Sequence, residues 1–166
     1  YSDKLTWLEN NGDAQFTSKR VFKETSIPFL IGVQDLDGDG DFDLVGLLYP
    51  NHDSDVEGDL AWYENVGDEV FIKHDIDKIK SWAREIVIFD VDSDADLDFL
   101  IAGGNDNSVS WYENEGNQKY VKNVISDDVS NKMYDIYDDY DVTSISVADM
   151  NGDLDFEILA ASVRDD

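Results

Sequence analysis

The sequence predicts an all-β chain assembled from a repeated unit of about four short antiparallel strands. Three observations predict it. An acidic nonapeptide recurs as DLDGDGDFD from Asp35, DVDSDADLD from Asp90 and DMNGDLDFE from Asp149. A tryptophan segment recurs in alternation with it, as TWLENNG from Thr6, AWYENVG from Ala61 and SWYENEG from Ser110. The residues before each acidic segment alternate apolar and polar with a period of two, the spacing of a strand, and an apolar pair follows it.

The phase of the two motifs is steady. Trp7 to Trp62 is 55 residues and Trp62 to Trp111 is 49; Asp35 to Asp90 is 55 and Asp90 to Asp149 is 59. Two motifs alternating in a fixed order at one rough period mark an internal repeat. Before each acidic loop stand Ile31 and Val33, Ile86 and Ile88, or Ile145 and Val147; after it come Leu44-Val45, Phe99-Leu100 or Ile158-Leu159. Each acidic loop therefore joins two strands. Each tryptophan strand ends in Asn-x-Gly (Asn10 to Gly12, Asn65 to Gly67, Asn114 to Gly116), a turn signal, and a further strand follows, as in VFIKHDI from Val70 and KYVKNVI from Lys119. Pro28 and Pro50, the two prolines, fall at expected strand ends.

Four strands in roughly 50 residues, repeated, match the blade of a β-propeller. The chain then reads as a single partial propeller module, about three blades' worth. Residues 1–24 give the last two strands of one blade, 25–79 a full blade, 80–139 a second full blade, and 140–166 the first two strands of another. Three blades cannot close a ring, because propellers have about four to eight. The expectation is a piece of a longer repeat chain or a ring completed by several copies. Two insertions break the period: YPNHDSDVEGD in the first full unit, and residues 127–141 in the second. Such loops either carry partner contacts or are simply solvated.

Composition narrows the class. The 166 residues carry 39 acidic against 12 basic side chains, a formal charge of −27, yet 42% of them are hydrophobic and 12% aromatic. That is enough apolar surface for a core and does not fit disorder. The field repels nucleic acid and anionic lipid and attracts cations. No cysteine is present, so thiolate sites and disulfides are excluded. No stretch approaches the ~18 apolar residues of a membrane span. The chain starts at Tyr1 with neither methionine nor signal peptide, which reads as a processed form or a fragment.

The acidic loops read as oxygen cages. Asp35, Asp37, Asp39 and Asp43 occupy positions 1, 3, 5 and 9, Asp41 offers its carbonyl at 7, and Gly40 takes the sharp turn at 6. Hard oxygen donors without His or Cys suit calcium; magnesium wants a stricter octahedron and zinc wants nitrogen or sulfur. The helical EF-hand loop shares the opening spacing but needs Glu at position 12, where Gly46, Ile101 and Ala160 stand. In the second loop Asp90, Asp92, Asp94, Asp96 and Asp98 keep the pattern, but Ala95 replaces the glycine and predicts a strained turn. In the third, Asp149, Asn151, Asp153, Asp155 and Glu157 hold the corresponding places, with Leu154 at position 6. Up to three calcium ions are expected, bound most tightly by the first loop and least by the third.

Position by position, these loops, their flanking strands and the WYEN-x-G segments resemble FG-GAP or VCBS-type repeats, the blade unit of integrin-like β-propellers. The resemblance covers nearly the whole chain. It implies a secreted or cell-surface protein, bacterial by its WYEN-x-G segments, whose blades bind calcium in the loop joining their first two strands.

The remaining candidates read as structural. Trp7, Trp62, Trp111 and Trp82 are expected in blade packing rather than sugar stacking, and Glu9, Glu64 and Glu113 repeat with the tryptophans. His52 and His74 have no sequence companion for a triad or a zinc site. Paired carboxylates invite a glycosidase reading, but the clustered ones are taken by the cation loops, so no enzyme is expected. The function expected is binding or adhesion to a glycan or a cell-surface protein, with no nucleic acid and no membrane insertion. The rivals are a non-catalytic accessory domain of a secreted polysaccharide-degrading enzyme and a lectin assembled from short chains.

Overall fold

The computed structural model describes residues 5–21, 26–50, 56–68, 70–80, 83–103, 108–116, 119–127, 140–153 and 155–164. His52, Trp82, Leu154 and most of the 127–141 insertion lie outside them. Every regular element among the described residues is a strand, and all pairings are antiparallel. Twelve strands form four sheets, as the repeat predicts: β1 (Thr6–Asn10) with β2 (Phe16–Arg20); β3 (Ile27–Gln34), β4 (Asp43–Tyr49), β5 (Gly58–Asn65) and β6 (Phe71–Ile79) in that order; β7 (Ala83–Phe89), β8 (Asp98–Gly103), β9 (Val109–Asn114) and β10 (Tyr120–Ser126) in that order; and β11 (Tyr140–Ala148) with β12 (Glu157–Arg164). Each four-stranded sheet is a meander of propeller-blade type, and sequence order equals spatial order because every connection is a short loop or hairpin.

The second strand of each meander is buried on both faces. All seven residues of β4 and all six of β8 are buried, which explains why these strands read as continuous apolar runs instead of alternating ones. Gly46 sits mid-β4 because a Cβ there would press on Leu48, Ile31 and Tyr63 at 2.9 to 3.3 Å. The outer strands β6 and β10 mix exposed and half-buried residues, with Ile79 buried at the end of β6.

The chain divides into two compact units, residues 1–78 and 79–166. In the first, Leu44, Leu48, Ala61 and Tyr63 form a core, and Leu5 and Val21 at the ends of the β1–β2 hairpin pack onto it. In the second, Leu100, Ala102 and Val109 meet Val142 and Ile145 of β11. A hydrogen bond from the Ile145 amide to the Glu85 carboxylate, 2.5 Å, ties β11 to β7, and the rings of Phe89 and Phe156 meet edge-on at 4.6 Å.

One regularity has no sequence signal. The first strand of each blade carries a register shift between Pro28 and Leu30, between Ala83 and Glu85, and between Val142 and Ser144. The extra residue is Phe29, Arg84 or Thr143, each six places before the first aspartate of its acidic loop. Three dissimilar side chains share one bulge, so the bulge belongs to the strand's bend and not to the residue.

Candidate metal loops and their anchors

Each acidic loop is folded by its own carboxylates. Asp35 accepts the amides of Gly38 and Gly40 at 2.9 and 3.1 Å, Asp37 that of Asp39 at 3.2 Å, and Asp39 that of Asp41 at 2.8 Å. In the second loop Asp90 accepts the amides of Asp94 and Ala95, both at 3.1 Å, and Asp94 that of Asp96 at 2.8 Å. In the third, Asp149 accepts Gly152, Asn151 accepts Asp153 and Asp153 accepts Asp155, at 2.6, 2.9 and 2.9 Å. These side-chain turns curl the chain around its acidic groups. They gather carboxylate oxygens of Asp35, Asp37 and Asp39 within 4.8 Å of one another, and likewise those of Asp90, Asp92 and Asp98. No such trio forms in the third loop among the described residues, where Asn151 replaces a carboxylate.

Backbone conformation explains the glycines. Gly38 and Gly40 take φ of 76° and 97°, in the left-handed region that a Cβ disfavours. The second loop adopts the same path with Ser93 at 64° and Ala95 at 77°. The strain expected at Ala95 is present, and Ser93, at the place of Gly38, is a second strained residue.

Position 9 has a role that the ligand pattern alone does not disclose. Asp43 is fully buried, and its carboxylate accepts the amide of Leu36 at 3.0 Å and the amide of Asn65 at 2.8 Å. Asp98 repeats this, accepting Val91 at 3.0 Å and Asn114 at 2.8 Å. Burial pushes both carboxyls above their ordinary range; the amide bonds pull the other way, and the charges of Asp37 and Asp92 add to the rise. The indole N–H groups of Trp62 and Trp111 also favour the ionised forms, though neither reaches full hydrogen-bonding geometry. The asparagine completes the link: Asn65 Nδ2 donates to the Phe42 carbonyl and Asn114 Nδ2 to the Leu97 carbonyl, at 3.2 and 3.3 Å. Its Oδ1 meanwhile accepts the Gly67 or Gly116 amide and closes the Asn-x-Gly turn. The two motifs keep phase because the asparagine of one is bonded to the last aspartate of the other.

The third loop departs from this. Glu157 turns back on its own loop, accepting the Met150 amide at 2.7 Å and Asn151 Nδ2 at 3.0 Å.

The repeated tryptophan strands show what their other residues do. Glu9, Glu64 and Glu113 each reach a side chain ten residues on: Lys19 at 3.0 Å, His74 at 2.8 Å and Asn123 at 2.8 Å. His74 thus has the companion that its sequence neighbourhood does not show, and its ring also stacks on Trp62 with centroids 4.5 Å apart. The pair occupies a repeated cross-strand position, which marks it as a strand-pairing device. Trp62 is buried at 1% exposure and Trp111 packs against the second core. Trp7 differs: it is 44% exposed, with Lys19 over its ring at 5.2 Å.

No curated protein matches the chain. Residues 90–160, from the first aspartate of the second loop into β12, match the family model of the FG-GAP-like repeat. Over that span, with its two acidic loops, its tryptophan strand and its Asn-x-Gly turn, the chain is similar to the FG-GAP-like repeat.

Proposed function

We propose that the chain is a calcium-stabilised propeller-type module of a secreted or cell-surface protein, serving to bind a glycan or a protein ligand rather than to catalyse. The observation that carries the metal part is the convergence of three carboxylates within 4.8 Å in each of the first two loops. Such a trio repels itself strongly unless a cation lies between its members, and an all-oxygen donor set on a flexible loop favours calcium. The expected occupancy is up to three ions, with the first loop strongest. The third is weakest because Asn151 leaves it one carboxylate fewer and no trio of carboxylates converges there among the described residues.

The non-catalytic reading is supported by where the perturbed acids sit. Asp43 and Asp98 are raised by burial, as catalytic acids often are, but both carboxylates accept backbone amides that hold the blade together, and Asp98 also belongs to the second carboxylate trio. An accessory domain of a polysaccharide-degrading enzyme, or a lectin assembled from short chains, fits the same blades; glycan-array binding by the 166-residue chain favours the lectin. Isothermal titration with calcium, then magnesium, tests the metal reading. Calcium binding at a dissociation constant of about 10⁻⁴–10⁻³ M with weaker magnesium binding is expected; no heat with calcium overturns it.

A further inference from the structure

Among the described residues, β12 and β1 are each bonded on one side only, to β11 and β2. Both therefore present an open row of backbone donors and acceptors. Neither edge carries the lysine or proline that proteins use to block pairing: β12 reads EILAASVR and β1 reads TWLEN. Side chains at these edges are exposed where their repeat equivalents are buried. Leu159 is 41% exposed, whereas Leu100, at the same place in its loop frame, is 0%; Trp7 is 44% exposed, whereas Trp62 is 1%.

The two edges are also halves of one pattern. In both complete sheets the second strand meets the tryptophan strand in the same register: Leu44 with Tyr63, Val45 with Trp62 and Gly46 with Ala61; Phe99 with Tyr112, Leu100 with Trp111 and Ile101 with Ser110. Counting from the first aspartate of each loop, the matching residues of β12 are Ile158, Leu159 and Ala160, and those of β1 are Leu8, Trp7 and Thr6. Asn10 is already prepared. Its Oδ1 accepts the Gly12 amide at 2.9 Å, as Asn65 and Asn114 accept Gly67 and Gly116. In the complete blades that asparagine also gives its amide to the carboxylate at position 9 and its Nδ2 to the carbonyl before it. In the third loop those two acceptors are Glu157 and the Phe156 carbonyl.

We infer that β12 of one chain pairs with β1 of a second copy, placing Leu159 opposite Trp7 and Asn10 of the partner against Glu157, so that the two half-sheets become one four-stranded blade. The contact joins unlike edges, so one pairing leaves another β12 and another β1 open. Two copies satisfy both: each brings two complete sheets, and two composite sheets form, giving six, within the about four to eight of propellers. A third copy would exceed that range. The pairing does not depend on the calcium reading.

Light scattering of the 166-residue chain in moderate salt, which screens the −27 charge of each copy, is expected to give twice the monomer mass. Leu159→Lys is expected to return it to monomer with an unchanged circular dichroism spectrum, because residue 159 is exposed in the separate chain. The chain has no cysteine, so register is read directly by mixing A160C chains with T6C chains. Directly opposed residues lie about 4.5–5.5 Å apart at Cα, within disulfide reach. A disulfide is expected in the mixture and in neither variant alone. A monomeric mass at every concentration, or cross-linking within A160C or T6C alone, overturns the pairing. An open series of masses overturns the closed pair.

Discussion

The first and third acidic loops share a sequence frame and differ in what holds their last ligand position. In the first, Asp43 is short, buried and bonded to two amides, one of them from the adjacent tryptophan strand. In the third, Glu157 is longer, half-buried, and folds back onto Met150 and Asn151. The lesson is that the loop is not a self-contained cage. Its ninth residue is a fastener between strands in the two four-stranded sheets, and in the two-stranded β11–β12 sheet that residue closes on its own loop.

The largest expected effect breaks that fastener. Asp43→Ala strands two buried donors, at about 1–3 kcal/mol each, whereas Glu157→Ala removes bonds at an exposed loop and costs a small fraction of that. Urea midpoints measure both, and equal losses would erase the distinction. Calcium sharpens the same comparison. With metal about 100-fold above its dissociation constant, each occupied site adds about 2.7 kcal/mol, so chelation is expected to lower the melting temperature. Alanine at Asp37 is expected to remove more of that gain than alanine at Asp153. An unchanged melting curve on chelation rules out metal at all three loops.

A smaller effect separates the first loop from the second. Gly40→Ala forces a Cβ into φ of 97° with no steric neighbour to blame, so its cost of about 1–2 kcal/mol is conformational. Ala95→Gly relieves the same strain at 77° and is expected to stabilise by under about 1 kcal/mol, since the freer unfolded glycine offsets part of the relief. Differential scanning calorimetry of the two variants checks the opposite signs.

The subtlest test is of pH. Burial raises Asp43 and Asp98 in the folded chain. Without metal the fold therefore holds more protons than the unfolded chain between the ordinary carboxylate value and the raised one. That stability is fully present below this window and is lost as pH rises through the folded values. With calcium the ligands must be ionised, and the slope reverses. Melting temperatures followed as pH falls from neutrality towards the ordinary carboxylate range, in chelator and in calcium, are expected to run in opposite directions; parallel slopes contradict it.

Much of this was legible before any coordinates. The alternation of DxDxDxDxD with WxEN-x-G carries the strand order, because apolar period, turn residues and acidic spacing are all local properties of a repeat. Ala95 announced its strain because a position that needs positive φ is visible when glycine is missing from it. Asn65 and Asn114 were legible only as turn formers. Their second bond, to the carboxylate at position 9, joins residues 22 and 16 apart, and nothing in spacing shows which partner an amide faces.

The sequence by itself determined the repeat, the all-β class and the places where acidic side chains crowd together, since these follow from which residues recur and how often. The tertiary structure alone decided which acids face each other and which are buried as fasteners. It also decided that Phe29, Arg84 and Thr143 share one bulge, and that His74 lies on Trp62 beside Glu64. Those outcomes depend on strand register and burial, and register is settled by the packing of whole sheets, not by any single residue's preference.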